Sequence, residues 1–464
     1  MQTVLFIYKY EYLEPLGIMS LAAFLQANGH RCEFIDLAFE KDLPKEVRKI
    51  NPDIIAYSIT TGCHSYYQKM NLELKKEFRF LSIFGGPHAT FFPDFIQEEG
   101  VDAICRGEGE GAILDLANAL DGGQGIHSIA NLWVKSDGQI HKNPLRPLIS
   151  DLNTLPFVSR DLVNKYDHYR KLHRRMILTG RGCPYRCTYC FNHAYHDLYK
   201  GNGRIVRKRS VEHVLRELRK VRENDAPRRF QFVDDTFILD HNWCFEFCER
   251  YKTEIGLPFI VYTRVNLINE EIVRRLKEAG CVTILYAIES GNDCIRNQIL
   301  KRNVSREQIL SAAQLFRKYG LKTYAQNMLG LPDENMESAM DTIDLNIACK
   351  PDYAWCSIFQ PYPATDLWQY CKEKQYLTDE PIEASFYKKS VLDIPHRRYV
   401  ARLHHLFPLA VSTPIIKRYL PVLVKLPLTS LYFAIWHLHR AYAYFFRVNW
   451  IDWSELFIRE RKRR

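Results

Sequence analysis

The sequence predicts an α/β protein that begins with a doubly wound, Rossmann-like parallel sheet and continues into a partial or full TIM-type (β/α) barrel. Short apolar strands alternate with helical patterns over residues 1–125, and strand and helix recur about six times over residues 174–380. Beyond residue 390 the chain becomes helical, aromatic and basic. We therefore predict domains at 1–125 and 171–380, a linker at 126–170 and a helical C-terminal region at 381–464.

The N-terminal sheet is predicted from five short apolar segments. They cover residues 4–8, 32–37, 53–60, 81–84 and 102–105. Ligands of such sheets bind beyond the carboxyl ends of the strands, where glycines let the backbone approach a bulky group. Two loops of this kind are Gly-Gly-Pro-His-Ala-Thr at residues 85–90 and Arg-Gly-Glu-Gly-Glu at residues 106–110.

The second domain is predicted from six further strands, each followed by a helical or loop segment. They cover residues 176–179, 230–233, 259–263, 283–288, 323–328 and 353–359. A chemically distinctive residue follows or ends each strand: Cys183, Asp234, Arg264, Glu289, Gly330 and Pro361. The active site of a parallel barrel lies at the C-terminal ends of its strands, so these residues are predicted to meet there. The linker before this domain is predicted to hold one hairpin, with strands at 132–135 and 139–142.

The C-terminal region is predicted to be helical and strongly basic. Residues 401–464 hold eleven Lys or Arg and three Asp or Glu, a difference of +8 in a chain whose net charge is +10. Residues 414–444 are largely apolar, but His437, His439 and Arg440 interrupt them, so no membrane-spanning helix is predicted. Two interpretations stay open. One is an amphipathic helix on a membrane surface, with the basic run 461–464 among anionic headgroups; the other is a helical cap over the barrel with a solvated tail.

The composition narrows the class of protein. A chain of 464 residues has room for two or three domains with ordinary globular cores. Its thirteen cysteines are scattered, and its start is typical of a strand rather than a signal peptide, which favours a reducing, cytoplasmic location. The basic residues concentrate in the C-terminal region instead of around the predicted site, so we expect no nucleic-acid partner.

Three cysteines on one short loop form the most informative motif: Cys183, Cys187 and Cys190. Thiolates at this Cys-x3-Cys-x2-Cys spacing can each bind one iron of a [4Fe–4S] cluster, which leaves the fourth iron open to a small molecule. The alternative is a zinc site. It would need a fourth ligand, for which His193 and His196 are the nearest candidates.

This loop resembles the defining Cys-x3-Cys-x-aromatic-Cys loop of the radical S-adenosylmethionine (SAM) superfamily, with Tyr189 at the aromatic position. The resemblance implies that the open iron holds SAM through its amino and carboxylate groups. It implies that reduction of the cluster cleaves SAM to a 5′-deoxyadenosyl radical, and that the backbone near Phe191 meets the adenine.

Two strand ends carry charged residues that the resemblance places near SAM. Asp234 or Asp235 is expected to accept the ammonium group of SAM or to hold a substrate, unless this pair caps a helix. Arg264 is expected to bind the carboxylate of SAM or, alternatively, to pair with Glu289.

The remaining strand ends resemble the family's SAM-binding turns. The run Glu-Ser-Gly at residues 289–291 is similar to a motif near the ribose and methionine, and Gly-Leu-Pro at 330–332 is similar to the turn beside adenine. Ala364 stands where the family usually has glycine. The SAM contacts implied here are Glu289, Ser290, Gln326 and Gly330.

The first 125 residues resemble the cobalamin-binding domain that precedes many radical SAM domains. The resemblance rests on Pro15-Leu16-Gly17 and on the loops after the third, fourth and fifth strands, which are implied to line the slot for the cofactor's nucleotide tail. The implied contacts are Ser58, Thr60, Gly85, Gly86, Thr90 and Glu108. The Asp-x-His-x-x-Gly loop that supplies a histidine to cobalt in one version of this fold is absent, with Tyr12 and Glu14 in its place. A flavodoxin-like domain that binds another ligand, or only packs, is the alternative.

Together the two resemblances predict a cobalamin-dependent radical SAM enzyme that methylates or rearranges an unactivated carbon. The substrate is expected to be lipid-like or another natural product, and a flavodoxin or ferredoxin is the expected electron donor. One alternative is a methylthiotransferase-like enzyme, which would need three further N-terminal cysteines in suitable motifs. The other is a non-catalytic iron–sulfur or cobalamin sensor.

Overall fold

The computed structural model describes residues 1–9, 14–380, 387 and 389–448. These form two compact units. The N-terminal unit comprises residues 1–172 and 199–207, and the barrel unit comprises residues 173–198 and the described chain from 208 onward. We call residues 199–207 the returning segment. The predicted basic run at 461–464 lies outside the described residues.

The N-terminal unit is built on a seven-stranded sheet. Its strands are β1 (Thr3–Tyr8), β2 (Arg31–Asp36), β3 (Ile54–Ser58), β4 (Leu81–Gly85), β5 (Ala103–Cys105), β6 (Leu132–Ser136) and β7 (Gln139–Lys142). The order is β2-β1-β3-β4-β5-β6-β7, with the first five strands parallel and the last two antiparallel to their neighbours. The hairpin predicted within the linker therefore extends this sheet. The helices are α1 (Leu16–Ala27), α2 (Leu43–Ile50), α3 (His64–Glu77), α4 (Pro87–Phe91), α5 (Glu110–Asp121), α6 (Asp161–Asn164) and α7 (Asp167–Arg170).

Both faces of this parallel sheet are covered, which explains why β1, β3, β4 and β5 are largely apolar. In β1, Val4 and Phe6 join the core on one face, while Leu5 and Ile7 join the core on the other. The chain order changes direction between β1 and β3, and doubly wound sheets bind ligands beyond the carboxyl ends of strands at such a point. Ser58 ends β3 at this edge.

The barrel unit contains six parallel strands whose spatial order follows the chain. They are β8 (Arg174–Ile177), β11 (Arg229–Phe232), β12 (Phe259–Thr263), β13 (Cys281–Glu289), β14 (Lys322–Leu329) and β15 (Tyr353–Ile358); two-residue strands β9 (Gly180–Arg181) and β10 (Arg207–Lys208) lie between the first two. The helices are α8 (Phe191–Leu198), α9 (Val211–Asp225), α10 (His241–Glu254), α11 (Glu270–Glu278), α12 (Arg306–Lys318), α13 (Met336–Cys349) and α14 (Asp366–Glu373). The predicted α/β fold class is thus confirmed, with the barrel in its partial, six-stranded form.

The C-terminal region is helical, as predicted. Its helices are α15 (Arg397–Ser412), α16 (Leu420–Leu423) and α17 (Thr429–Tyr442). Helix α15 packs along the edge strand β15, where Nε2 of buried His404 donates to the carbonyl oxygen of Cys356 at 3.0 Å. Ala443 and Val448 pack with Tyr324 and Tyr353 of the sheet. In the described part of the chain, no helix combines the length and the apolar character needed to cross a bilayer.

Candidate functional site

The three predicted cluster cysteines lie on the loop between β9 and α8, beyond the C-terminal end of β8. Cys187 is buried, with 6% of its surface exposed, and the other two are half-buried. Among the described residues no three ligand side chains converge on one point that would suit a single metal ion. A [4Fe–4S] cluster needs a wider arrangement, because each thiolate binds a different iron.

Two histidines brace this loop through its backbone. Nδ1 of His193 lies 2.6 Å from the carbonyl oxygen of Cys190, and its Nε2 accepts from the amide of Asp366 at 3.1 Å. Because a carbonyl oxygen can only accept, Nδ1 of His193 donates to Cys190. Nε2 of His196 lies 2.7 Å from the carbonyl oxygen of Cys183. The two candidate fourth zinc ligands therefore hold the loop in shape.

The thiols lie in surroundings that disfavour their charged form. Burial raises the pKa of Cys183, and it raises that of Cys190 to about 11. Negative charge on Asp235 and Cys187 adds to the upward pKa shift of both thiols. Thiolate ligands must lose their protons on binding metal, so loading this loop with iron would release protons.

Arg264, directly after β12, contacts the cysteine loop from the barrel side. Its Nη1 lies 3.5 Å from Sγ of Cys187, and its guanidinium lies over the ring of Tyr185, 3.8 Å from the ring centroid. Its Nη2 donates to the carbonyl oxygen of Arg302. A buried cation at this sulfur can stabilise thiolate charge. The predicted contact of Arg264 with SAM remains a prediction.

Glu289, the last residue of β13, forms a buried network with Tyr189 of the cysteine loop. The Tyr189 hydroxyl donates to Oε1 of Glu289 at 2.9 Å, and Nη1 of Arg302 lies 2.7 Å from that hydroxyl and 3.6 Å from the carboxylate. The ion-pair partner of Glu289 is therefore Arg302, not Arg264. Burial raises the pKa of Glu289, and Arg302 and Tyr189 oppose this shift. Glu289 also has φ of +66°, a strained conformation for a residue with a side chain.

The two adjacent carboxylates after β11 have different surroundings. Asp234 is buried and accepts from the hydroxyl of Thr179 at 2.6 Å and from Nζ of Lys208 at 3.3 Å. Asp235 is exposed, yet the protein around it partly desolvates its carboxylate and so raises its pKa, while a hydrogen bond from Asn192 opposes the shift. Neither residue caps the next helix, since Asp240 is the N-cap of α10. The helix-cap alternative is therefore wrong.

The Glu-Ser-Gly run turns sharply against α13. Ser290 is fully buried, and its hydroxyl accepts from the amide of Asn292 at 3.2 Å. A Cβ on Gly291 would lie 2.1 Å from the carbonyl oxygen of Asp341, so only glycine fits there.

The Gly330 turn is held by a second buried pair. The amide of Gly330 donates to Oε1 of Glu334 at 2.8 Å, and Nε2 of His396 lies 2.8 Å from the same oxygen. Gln326 lies half-buried on β14. Ala364 has φ of +67°, so the turn keeps the left-handed geometry that glycine would adopt more easily. Phe191, at the start of α8, lies near Tyr362, with ring centroids 5.8 Å apart.

The predicted cofactor edge of the N-terminal unit is closely packed backbone. A Cβ on Gly86, whose φ is +90°, would lie 2.8 Å from the carbonyl oxygen of Ile59 and 3.2 Å from Oγ of Ser58. The Thr90 hydroxyl joins two loops, since it donates to the carbonyl of Gly86 and accepts from the amide of Gly107. Ser58 and Thr60 are exposed at this edge, and Gly85 is half-buried.

Glu108 has a structural role in the same unit. Its carboxylate pairs with Arg207 of the returning segment at 2.9 Å and accepts from the amide of Ile149 at 3.0 Å. These contacts occupy both of its oxygens. The prediction that Glu108 contacts a cofactor remains a prediction.

The sequence patterns do not reveal Arg302, and they do not reveal that His193 and His196 brace the loop. Arg302 follows a short helical segment (Ile295–Ile299) rather than ending a strand, so strand-end reasoning could not find it. The sequence offers His193 and His196 only as candidate zinc ligands, because they are the nearest histidines to the cysteine loop. Only the backbone carbonyls that they face identify their structural role.

Two protein-family models match the chain in the regions just described. The model of the Radical SAM superfamily matches residues 177–345, and the model of the B12 binding domain matches residues 3–117.

Individual relatives extend these matches over most of the chain. An uncharacterized methyltransferase of Pyrococcus horikoshii is 31% identical over 366 residues, covering 77% of this chain and 78% of that protein. Hopanoid C-3 methylase of Methylococcus capsulatus is 26% identical over 377 residues, covering 77% and 68%. The radical SAM methyltransferase TsrM of Kitasatospora setae, with tryptophan substrate and a SAM analogue bound, matches in fold with a TM-score of 0.73 and 15% identity, covering 95% of this chain and 99% of that chain. The chain belongs to the radical SAM superfamily, in the group whose members carry an N-terminal B12-binding domain.

Proposed function

We propose that the protein is a cobalamin-dependent radical SAM enzyme that methylates or rearranges an unactivated carbon of a small molecule. The observation that carries the proposal is the braced cysteine loop, with Asp235, Arg264 and Glu289 around it. When bound, a reduced cluster supplies the electron that cleaves SAM, and cobalamin supplies a methyl group or a second reactive centre.

The residues of the loop fit a cluster with one open iron. Cys183, Cys187 and Cys190 would bind three irons, and the histidines that hold their carbonyls would keep the three thiols in place without becoming ligands. Arg264 would hold positive charge next to Cys187, which favours the reduced and the thiolate-bound states.

The surrounding strand ends offer opposite charges for the methionine part of SAM. Asp235 is the better acceptor for its ammonium group, because Asp234 is already bound to Thr179 and Lys208. Glu289 and Ser290 would face the ribose and methionine, and Gly330 and Gln326 the adenine, as the family resemblance implies. Phe191 and Tyr189 would limit the access of water to this site.

The N-terminal unit would hold cobalamin at the carboxyl edge of its parallel strands. The exposed Ser58 at that edge supports this, and the close approach of Gly86 to Ile59 holds the two neighbouring loops together beside it. Gly85, Thr60 and Thr90 would complete the lining.

The expected substrate is a small molecule. Among the relatives, TsrM carries a tryptophan substrate and another protein is a hopanoid methylase. We propose a lipid-like or other apolar natural product, with a flavodoxin or ferredoxin as the electron donor in the cytoplasm.

The proposal is tested by loading the full chain anaerobically with iron, sulfide and hydroxocobalamin. The wild type should show cluster absorbance, retain stoichiometric cobalt and convert SAM to 5′-deoxyadenosine once reduced. A variant with Cys183, Cys187 and Cys190 all changed to Ala should lose cluster absorbance and SAM cleavage but keep its cobalt.

Two controls separate the cofactors. Cys294→Ala removes an exposed cysteine outside the loop and should behave as the wild type. Thr60→Trp should lose cobalt but keep the cluster, because it adds bulk at an exposed position of the N-terminal edge and leaves the packing at Gly86 intact. Cluster absorbance in the triple variant would refute the ligand assignment, and cobalt-free wild type would refute the cobalamin assignment.

A further inference from the structure

The C-terminal helices expose an unusual amount of apolar surface. Of the twelve large apolar side chains exposed in the described chain, ten lie between Ile415 and Phe446. We call these ten the C-terminal apolar face. The most exposed of its members are Leu438 (73%), Val422 (62%) and Phe446 (60%). A concentration of this kind marks an interaction surface rather than ordinary scatter.

Helix α17 also has a separate row of buried residues, which packs it onto the rest of the protein. The exposed apolar side chains are therefore additional to those that this helix uses for internal packing. Tyr432 and Trp436 of α17 are buried, with Trp436 lying near His404 of α15. Leu431, Leu438 and Tyr442 recur at intervals of seven and four residues, which puts them on another side of the helix.

The charged side chains of these C-terminal helices are all of one sign. Residues 394–448 contain no Asp or Glu, and they contain eight Lys or Arg: Arg397, Arg398, Arg402, Lys417, Arg418, Lys425, Arg440 and Arg447. Arg418 and Lys425 are exposed between the exposed apolar side chains. Lys417 is bound to Asp344 and Arg402 to Thr429, so these two have structural partners. An apolar face rimmed by exposed cations is complementary to an anionic lipid surface.

We propose that the C-terminal apolar face docks on the surface of an anionic bilayer. The apolar side chains would enter the headgroup boundary, and Arg418 and Lys425 would contact acidic headgroups. A second copy of the chain fits less well, because a two-fold contact through this face would bring like charges together. The contact is peripheral, and it is independent of the catalytic assignment.

The test is sedimentation of the cofactor-loaded full chain with vesicles of phosphatidylcholine alone and of phosphatidylcholine mixed with phosphatidylglycerol. The wild type should sediment with the mixed vesicles, less with the neutral ones, and less at high salt. The variant Val422→Ser/Leu431→Ser/Leu438→Ser should stay in the supernatant with both. The variant Arg418→Gln/Lys425→Gln should bind mixed vesicles about 25-fold more weakly, roughly fivefold for each cation removed.

The matched control is Lys220→Gln/Lys252→Gln, which removes two exposed cations from α9 and α10 and should bind as the wild type. Circular dichroism and SAM cleavage establish that each variant is folded. The proposal is overturned if the folded serine variant still sediments, or if the charge variant binds mixed vesicles as well as the control does. It is also overturned if light scattering shows a dimer that the serine variant converts to monomer without any vesicle binding by the wild type.

Discussion

Asp234 and Asp235 are chemically identical neighbours, yet their contacts give them different tasks. The carboxylate of Asp234 is already bound by Thr179 and Lys208. It therefore links the segments that follow β8 and β11 to β10. Asp235 accepts a hydrogen bond from Asn192, and its charge adds to the raised pKa of Cys183 and Cys190. A carboxylate with a raised pKa and few fixed partners is suited to bind a cationic group.

Replacing each Asp by Asn should separate these tasks. Asp235→Asn should weaken SAM binding about 10- to 100-fold, since a hydrogen bond between charged groups contributes roughly 1.5–3 kcal/mol. It should leave the unfolding free energy nearly unchanged. Asp234→Asn should lower the unfolding free energy by about 1–3 kcal/mol with a smaller effect on SAM affinity.

Isothermal calorimetry with SAM on the cluster-loaded protein measures the affinities, and urea denaturation measures the stability. Because the raised pKa of Asp235 brings its protonation closer to neutral pH, wild-type SAM affinity should fall as the pH is lowered toward that pKa. The Asn variant should lack this fall. Equal loss of SAM affinity in both variants would refute the division of tasks.

For single residues, the sequence predicts which side chains belong to the site better than it predicts which groups those side chains contact. The cysteine spacing and the position of Glu289 at a strand end follow from local patterns. Arg302 cannot be found in this way, because it approaches Tyr189 from a segment more than a hundred positions away in the chain. The roles of His193 and His196 likewise depend on carbonyl groups whose direction only the folded loop defines.

At the scale of the elements, two turns of the barrel unit differ in how well the residue suits the backbone. At Gly291 the backbone of α13 comes so close that a Cβ would overlap the carbonyl oxygen of Asp341. At Ala364 the backbone adopts φ of +67°, which costs an alanine about 1 kcal/mol relative to glycine. One turn requires glycine and the other tolerates its absence under strain.

Exchanging alanine and glycine at these turns should therefore change stability in opposite directions. Gly291→Ala should lower the unfolding free energy of the barrel unit by about 1–3 kcal/mol, because α13 must move to relieve the overlap. Ala364→Gly should leave it unchanged or raise it, since relief of strain offsets the greater freedom of the unfolded chain.

Thermal unfolding followed by circular dichroism measures both effects. Gly17→Ala in α1, where a Cβ would meet nothing within 4 Å, is the control for the exchange itself. A Gly291→Ala variant as stable as this control would show that α13 yields without cost.

Element positions are largely readable from the sequence because buried parallel strands are apolar runs with glycine-rich ends. The predicted strand at 259–263 has the bounds of β12, and the bounds of the other five parallel strands differ from prediction by two residues at most. The hairpin was also predicted, but its pairing with β5 was not. Strand pairing depends on contacts distant in the chain, which local periodicity does not encode.

At the scale of the whole molecule, the chain passes between the two units three times. It enters the barrel unit at residue 173, goes back for the returning segment, and enters the barrel unit again at residue 208. Tyr199, at the start of that segment, is 1% exposed, and its hydroxyl lies 3.4 Å from the amide of Glu108. Arg207, at its end, pairs with both oxygens of Glu108.

Removing the Arg207 cation should loosen the N-terminal unit through the loop at residues 106–110. Arg207→Met leaves the nearly buried Glu108 carboxylate without its cation, a change that costs about 3–5 kcal/mol in buried pairs. Hydrogen exchange should then accelerate at this loop and at Ile149, and cobalt retention should fall.

Arg48→Met is the matched control, because it breaks an ion pair of the same unit in which both side chains are more than half exposed. It should change stability by about 1 kcal/mol or less. Unchanged exchange at residues 106–110 in the Arg207 variant would contradict the structural role of Glu108.

The returning segment also constrains recombination among relatives. A crossover at residue 172 would join the B12-binding sheet of one protein to the returning segment of another. Its residues at positions 199 and 207 would then fit the loops of the other protein. Gly107 would be the first point of conflict, because the space that a Cβ would occupy there is filled by the Tyr199 hydroxyl. Functional chimaeras of this group should therefore inherit residues 1–172 and 199–207 from one parent. The cysteine loop between them should come from the parent that supplies the barrel, because it contacts Arg264, Glu289 and Arg302.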